Sequence, residues 1–99
     1  MLLTGIACAI PRGYEGQIRP RSSTSRAGIL ISLGTIDEGF RGELAVMATN
    51  LNQHVRYVNA GDRIAQFVIV PVLRPVAVEV QEFEDNTDRG EHGWGSSGR

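Results

Sequence analysis

The sequence predicts an all-β domain, built as a sandwich or a barrel of short strands. Its 99 residues are enough for one domain at most. Twelve glycines and four prolines divide the chain into short pieces, in which apolar and polar residues mostly alternate. That period of two is typical of strands, whereas a helix would place apolar residues every three or four positions. No long helix is predicted.

Each strand follows from this alternation. In the segment from Tyr14 to Arg19, residues Tyr14, Gly16 and Ile18 share one face and polar residues share the other, as a half-buried strand requires. Turn signals rich in glycine, proline or asparagine separate the segments. In chain order the predicted strands are Thr4–Ile10, Tyr14–Arg19, Ile29–Ser32, Leu44–Ala48, Val55–Val58, Ile64–Val72 and Val76–Phe83.

The composition changes after the last of these strands. Residues 1–85 are predicted to form the β core, and residues 86–99 a flexible, glycine-rich C-terminal arm. Composition alone favours a disordered terminus for the arm. Trp94 argues for a partner, because an indole is costly to leave uncovered.

Charge and composition exclude several functions. The formal net charge of -1 at pH 7 argues against binding along a nucleic-acid backbone. The chain has arginines but no lysine, which excludes lysine Schiff bases, lysine-anchored pyridoxal phosphate and a P-loop lysine. The longest apolar stretch, 67–73, is interrupted by Pro71 and is too short to cross a membrane.

The single cysteine, Cys8, permits no internal disulfide. With only His54 and His92 beside it, the chain has no zinc-binding constellation. A reducing, cytoplasmic setting fits this cysteine usage best.

Two segments carry groups suited to a phosphorylated ligand. Arg21, Ser22 and Ser23 follow a predicted strand and could hold phosphate oxygens, although serines in a polar loop also cap short turns. Segment 34–43, a predicted hairpin, holds two adjacent carboxylates. Asp37 in it could orient a water as a general base, although aspartate and glycine are also ordinary turn residues.

Two later segments add an amide and a candidate lid for a nucleotide. Gln66 falls on the face of Ile64 and Val68, where its amide needs a partner, either a ligand or the fold itself. An Asp62–Arg63 pairing is the simpler account of the preceding turn.

In segment 89–98 the glycines let backbone amides approach an anion, while Arg89 supplies charge and Trp94 supplies a stacking plane. His92 is a candidate base or metal ligand, but a lone histidine in a polar tail is most often solvated.

Other catalytic templates are missing from the sequence: it has no G-x-S-x-G, H-E-x-x-H or G-x-G-x-x-G segment. The arginine, serine, aspartate and glutamine residues together indicate phosphoryl chemistry on a nucleotide.

Taken together and in this order, four segments resemble the motifs of the trimeric dUTP diphosphatase (dUTPase) family. They are Pro20–Ser23, Gly34–Glu43, Gly61–Gln66 and Arg89–Gly98. The opening residues, Thr4 to Pro11, are also similar, so the likeness covers almost the whole chain. One segment would be a weak signal, but four in register are specific.

The resemblance implies a jelly-roll-like β-barrel of the β-clip type. It implies a homotrimer with active sites at subunit interfaces and the C-terminal arm closing over the substrate. The implied reaction cleaves dUTP to dUMP and pyrophosphate, which keeps uracil out of DNA and supplies dUMP for thymidylate synthesis. Mg²⁺ is the implied cofactor, bridging the triphosphate oxygens.

The same resemblance assigns roles to residues. Asp37 orients the water that attacks the α-phosphorus, Thr35 and Ile36 bind uracil through backbone groups, and Phe40 packs against the deoxyribose. The other substrate-binding residues are Arg21, Ser22, Ser23 and Gln66 on the phosphates, Arg89, Ser96 and Ser97 on the distal phosphates, Trp94 on the base, and Gly95 beside it in sequence.

Two departures from the family pattern stand out. The family's first motif, an N-terminal segment with an aspartate that supports the metal through water, has no counterpart, so no metal ligand is identified in this chain. Either Met1 marks a truncated form or that segment is supplied otherwise, and the barrel is expected to lack a strand. Phe40 stands where the family usually has tyrosine, which removes a phenolic hydrogen bond but keeps a ring that excludes a ribose 2′-hydroxyl.

These departures leave other hypotheses open. One is a catalytically silent module that binds a nucleotide or a protein partner. Another is a fragment that cannot fold alone, because a missing strand leaves an exposed edge. The related dCTP deaminases rank lower, because their catalytic glutamate would fall at about Met47, which has no proton to exchange.

Overall fold

The computed structural model describes residues 1–95, and these are built mainly from short strands and turns. In chain order the elements are β1 (Leu2–Leu3), β2 (Tyr14–Pro20), α1 (Ser22–Arg26), β3 (Ile29–Ile31), β4 (Gly34–Ile36), β5 (Ala45–Val46), β6 (Ala48–Asn50) and β7 (Ala65–Pro71). The described part of the chain includes no helix of the length and hydropathy that a membrane span requires.

Strand β2 is the centre of the fold. It pairs antiparallel with β7 along all 7 of its residues, and antiparallel with β4 on its other side. Gly16, in the middle of β2, is buried beneath the ring of Phe67 and the side chain of Ile10. A Cβ at this position would force that ring to move, so the glycine serves a close approach rather than a turn.

The core connects the three sheets. β1 pairs with β5, and β3 with β6, both antiparallel. Ile18 of β2, Ile31 of β3 and Val46 of β5 are 5%, 3% and 4% exposed and pack into one cluster. Burying an aliphatic side chain of this size contributes about 1.5–3 kcal/mol, so this small cluster holds the separate sheets against one another.

Some of the predicted strands are not strands in the structure. Thr4–Ile10, Val55–Val58 and Val76–Phe83 have the alternating pattern but no ladder among the described residues. Alternation tells which residues would share a face, but a strand also needs a second strand within hydrogen-bonding distance. Val76 and Val78 are 87% and 76% exposed, so nothing in the described chain covers that segment.

The start of the chain forms a shorter strand that ends in a bulge. The N–H of Thr4 donates to the carbonyl of Leu44 at 3.1 Å, and the N–H of Leu44 donates to the carbonyl of Ile6 at 2.8 Å. Gly5 between them has a φ of 74°. Three residues, Thr4 to Ile6, therefore oppose Leu44 alone across the ladder, which ends the regular pairing of β1.

The predicted hairpin over 34–43 is wrong as a strand pairing. β4 pairs with β2, whereas β5 pairs with β1, so the strands on either side of the segment belong to different sheets. A turn remains, in which the N–H of Phe40 donates to the carbonyl of Asp37 at 3.1 Å.

The chain is extended for its length. Its radius of gyration is 19.1 Å and its extents are 54 × 40 × 17 Å, whereas a compact domain of this size has a radius of gyration of about 13 Å. Much apolar surface that a compact domain would bury is therefore exposed.

Candidate active site

Arg21, Ser22 and Ser23 lie where β2 ends and α1 begins. Arg21 has an extended backbone with φ −106° and ψ 147°, and its carbonyl accepts the N–H of Ser25 at 3.0 Å, which starts the helix. The N–H groups of the first turn, those of Ser22, Ser23 and Thr24, have no earlier helical carbonyl to bond. A guanidinium, two exposed hydroxyls and these N–H groups together offer donors to an anion.

Asn52 fixes the other end of α1. Its Nδ2 donates to the carbonyl of Ala27 at 2.9 Å, and the N–H of Leu51 donates to the carbonyl of Gly28 at 2.8 Å. Gly28 has a φ of 80°, and a Cβ there would lie 2.7 Å from Asn52 Nδ2. Sequence reasoning missed Asn52, since the only local signal is the glycine that follows the helix.

Gln66 reaches the same junction from β7. It pairs with Arg19 across the ladder, and its Nε2 donates to the carbonyl of Pro20 at 2.8 Å. The partner that this amide needs is thus the backbone directly before Arg21. An amide nitrogen carries two hydrogens, so a second donor remains for a ligand.

The turn before β7 is closed by Asp62 in a different way from the predicted pairing with Arg63. The N–H of Asp62 donates to the carbonyl of Asn59 at 3.0 Å, and Asp62 Oδ2 accepts the N–H of Asn59 at 2.8 Å. Gly61 has a φ of 88°, which the turn requires and glycine allows. The carboxylate therefore stabilises the turn itself.

A cleft of about 670 Å³ lies beside this junction. Arg21, Arg63 and Gln66 border it, together with apolar side chains that include Leu44 and Val46. Arg63 was given no ligand-binding role by sequence reasoning, yet it borders the same cleft as Arg21. Ser23 borders an adjoining hollow of about 290 Å³.

Asp37 lies in the turn that follows β4. The Asp37 side chain is exposed, and the turn is braced from both sides. Glu38 Oε2 accepts the N–H of Gly13 at 2.6 Å, and Arg41 Nη1 donates to the carbonyls of Glu38 and Phe40 at 2.8 Å and 3.0 Å. Sequence reasoning did not identify Glu38 or Arg41 as part of the site.

The residues around Asp37 form one surface. Phe40 is 43% exposed, and its ring lies over Gly42, where a Cβ would be 2.6 Å from the ring. Thr35 is exposed and Ile36 is half-buried. Because β4 pairs only on its β2 side, alternate backbone groups on its other side are open to a ligand in the described chain.

The chain does not bring Asp37 and Arg21 together. Ile36 pairs with Gly16, so Asp37 lies level with Glu15, at the opposite end of β2 from Arg21. At about 3.3 Å per residue, the intervening positions amount to about 20 Å. The two residues therefore lie at opposite ends of β2 within one chain.

The described part of the arm folds on itself. The N–H of His92 donates to the carbonyl of Arg89 at 3.0 Å, and Arg89 Nε donates to the carbonyl of His92 at 2.7 Å. Trp94 is 106% exposed, and Gly95 follows it with a φ of 94°. Ser96 and Ser97, two of the predicted substrate-binding residues, lie outside the described residues.

Within residues 1–95 there is no group of three or more His, Cys, Asp or Glu side chains arranged to hold a metal ion. The carboxylates of Asp37 and Glu38 are adjacent in sequence, but that of Glu38 is bound to Gly13. The described residues therefore do not fit an all-protein metal site.

A family model described as dUTPase matches residues 1–98. A deoxyuridine 5′-triphosphate nucleotidohydrolase of Hydrogenobaculum sp. is 46% identical over 99% of this chain and 69% of its own length. The enzyme of the same name from Syntrophotalea carbinolica is 50% identical over 96% of this chain and 66% of its own. The chain thus spans about two thirds of the length of these relatives.

Solved structures give the same result. A variant of the dUTPase of Staphylococcus bacteriophage 80alpha, with dUpNHpp, matches with a TM-score of 0.87 and 31% identity, over 98% of this chain and 74% of that one. A dUTPase of phage phi11 of S. aureus, whose structure reveals the coordination of a structural Mg(II) ion, matches with a TM-score of 0.71 and 31% identity, over 84% and 72%. This likeness confirms the predicted all-β, jelly-roll-like fold.

Proposed function

Because the chain belongs to the dUTPase family, we propose that it hydrolyses dUTP to dUMP and pyrophosphate. The observation that carries the proposal is the family match over residues 1–98, since that range includes every segment with predicted substrate contacts. The local geometry supports separate roles for the two ends of β2. The end near α1 would bind the triphosphate, and the other end would bind the nucleoside and the attacking water.

The end of β2 near α1 suits the triphosphate. Arg21 supplies a planar guanidinium, and Ser22 and Ser23 supply hydroxyls and first-turn N–H groups. Charge-assisted hydrogen bonds to phosphate oxygens are about twice as strong as neutral ones. Gln66, bound to the Pro20 carbonyl, orients this junction and adds its second amide hydrogen.

The other end of β2 suits the nucleoside and the attacking water. The open edge of β4 lets Thr35 and Ile36 bind the edge of uracil through backbone groups, and the Phe40 ring packs on the deoxyribose. Asp37 accepts a proton from water as the water oxygen attacks the α-phosphorus. The bond from that phosphorus to the bridging β-phosphate oxygen breaks, and pyrophosphate leaves with the electron pair.

The site is proposed to form between copies in a homotrimer. The distance of about 20 Å along β2 keeps Asp37 and Arg21 of one chain apart, so each copy would contribute one end to each site. The segment Val76–Phe83 supports this arrangement, because it alternates like a strand, is exposed and has no partner strand among the described residues.

Residues 86–99 are proposed to close over the bound nucleotide as a separate arm. Trp94 would stack on the base, Arg89, Ser96 and Ser97 would hold the distal phosphates, and Gly95 would also contact the substrate. Trp94 is fully exposed, so its ring is accessible to a base, which supports this role. Stacking of this kind is worth about 1–3 kcal/mol.

Mg²⁺ is proposed as a partner of the substrate rather than of the protein. Magnesium is commonly bound through substrate phosphates and water, with few protein ligands, and the described residues offer no cage of their own. The metal would neutralise phosphate charge when it arrives with dUTP. A cytoplasmic location is proposed from the single cysteine.

The test is pyrophosphate release from dUTP by the 99-residue chain, with dCTP and dTTP as controls, in Mg²⁺ and in chelator. We expect selective release from dUTP, and we expect Asp37→Asn to lower kcat by roughly 100-fold or more, because it removes the base. Binding of dUpNHpp by that variant, measured by calorimetry, is expected to stay within a few fold of wild type.

The matched control is Glu43→Gln, which neutralises a nearby exposed carboxylate and is expected to leave turnover unchanged. A folded wild-type chain that binds dUpNHpp without releasing pyrophosphate from dUTP would show a binding module instead of an enzyme. Full activity in Asp37→Asn would remove Asp37 from the mechanism.

A further inference from the structure

The orientation of Asp37 depends on the backbone that carries it. The Asp37 carboxylate is exposed and makes no hydrogen bond within residues 1–95, whereas its carbonyl accepts the N–H of Phe40 at 3.1 Å. Asp37 lies one residue beyond Ile36, the last paired residue of β4, and is therefore outside the ladder. Something other than the ladder must therefore fix where Asp37 lies.

The neighbouring residue, Glu38, supplies that restraint. Its half-buried side chain crosses to a segment 25 positions earlier, where Oε2 accepts the N–H of Gly13 at 2.6 Å. A carboxylate bound to a backbone N–H makes a short, charge-assisted hydrogen bond. Such a contact restricts the turn more strongly than a neutral one would.

The donor, Gly13, belongs to a fixed point of the fold. Gly13 has a φ of 88°, and its carbonyl accepts the N–H of Val72, directly after β7, at 2.9 Å. The N–H of Tyr14 donates to the carbonyl of Pro11 at 3.1 Å, which closes the turn around Gly13. The hydrogen bond from Gly13 to Glu38 thus joins the Asp37 turn to the β2–β7 ladder.

We propose that Glu38 is a positioning residue, which sets the place of the Asp37 carboxylate through its hydrogen bond to Gly13. Arg41 assists from the other side by holding the carbonyl of Glu38. The inference rests on the proposed function, in which Asp37 orients the attacking water. Glu38 itself touches neither substrate nor water in this scheme.

The test compares Glu38→Ala with Glu38→Gln, whose amide oxygen can still accept the N–H of Gly13. Misplacing a catalytic group by about 1 Å can lower a rate about 100-fold. We expect Glu38→Ala to lower kcat roughly 10- to 100-fold, with KM and dUpNHpp binding within about threefold of wild type. Glu38→Gln is expected to recover most of the rate, and Glu43→Ala to keep all of it.

Two further measurements separate positioning from general damage. In an Asp37→Asn background, Glu38→Ala should cause no further loss, because both changes act through the same carboxylate. Hydrogen exchange at the Gly13 amide should be faster in Glu38→Ala than in wild type and unchanged in Glu43→Ala, with the melting temperature recorded for each variant.

A wild-type kcat in Glu38→Ala would overturn the proposal, and so would an additive loss in the Asp37→Asn background. If the wild-type chain released no pyrophosphate, the proposed function would fail separately. The exchange rate of the Gly13 amide would then still decide the structural claim, since unchanged exchange in Glu38→Ala would refute the Glu38–Gly13 contact.

Discussion

At the scale of single residues, two glycines near the Asp37 turn differ in what surrounds them. A Cβ on Gly42 would lie 2.6 Å from the Phe40 ring, whereas a Cβ on Gly39 would meet nothing within 4 Å. Neither carries a positive φ among the described glycines. The pair therefore separates the effect of moving the ring from the effect of losing a glycine.

Gly42→Ala is expected to displace the Phe40 ring and weaken its packing on deoxyribose. A methyl-sized change in an apolar contact is worth about 1–3 kcal/mol, or roughly 10- to 200-fold. We expect kcat/KM for dUTP to fall by about tenfold and the preference for dUTP over UTP to narrow. Steady-state kinetics with both nucleotides measures this, and Gly39→Ala should match wild type. Equal losses in both variants would mean that the ring's position is not the cause.

At the scale of elements, α1 depends on a loop that follows it by many residues. Asn52 bonds the Ala27 carbonyl, and α1 carries Ser22 and Ser23 at its other end. With 5 residues, the helix is too short to be stable from its own hydrogen bonds. Its orientation must therefore come from such contacts.

Asn52→Ala is expected to leave the Ala27 carbonyl unbonded and to cost about 1 kcal/mol. For a domain of this size that corresponds to a fall in Tm of about 4–8 °C, and KM for dUTP should rise because the serines lose their fixed position. Gln53→Ala, at an exposed neighbouring residue, is the control. Calorimetric melting and kinetics measure both effects. A normal KM with a lowered Tm would limit Asn52 to a stabilising role.

The elements also explain why sequence reasoning succeeded in some places and failed in others. Tyr14–Arg19 and Ile64–Val72 were predicted as strands, and they correspond to β2 and β7, which pair with each other along their whole length. Val76–Phe83 has an equally regular pattern but no partner among the described residues. Periodicity records which face is apolar, and it carries no information about where the partner strand lies.

The same limit applies to the site. Residues in compact local motifs, such as Arg21 and Asp37, could be selected because their chemistry is visible within a few neighbours. No separate role was predicted for Glu38, because its partner, Gly13, is 25 positions away. No pattern among neighbouring residues identifies such a contact. The substrate-binding roles of Ser96 and Ser97 remain predictions.

At the scale of the whole molecule, the single chain resembles one part of an assembly. Its radius of gyration of 19.1 Å exceeds the value of about 13 Å for a compact domain. Large apolar side chains such as Leu73, Val76 and Phe83 are 91%, 87% and 86% exposed. The proposed association of identical chains would cover apolar surface of this kind.

If each site takes Asp37 from one copy and Arg21 from another, two inactive variants should complement each other. Asp37→Asn and Arg21→Ala are each expected to lose most activity alone. When they are refolded together in equal amounts, about one quarter of the sites should combine an intact Asp37 with an intact Arg21 if the copies assort at random. Pyrophosphate release from the mixture measures the recovery, and each variant refolded alone is the control. A mixture no more active than its components would mean that one chain supplies both residues, in which case the arm or a large rearrangement must close the distance along β2.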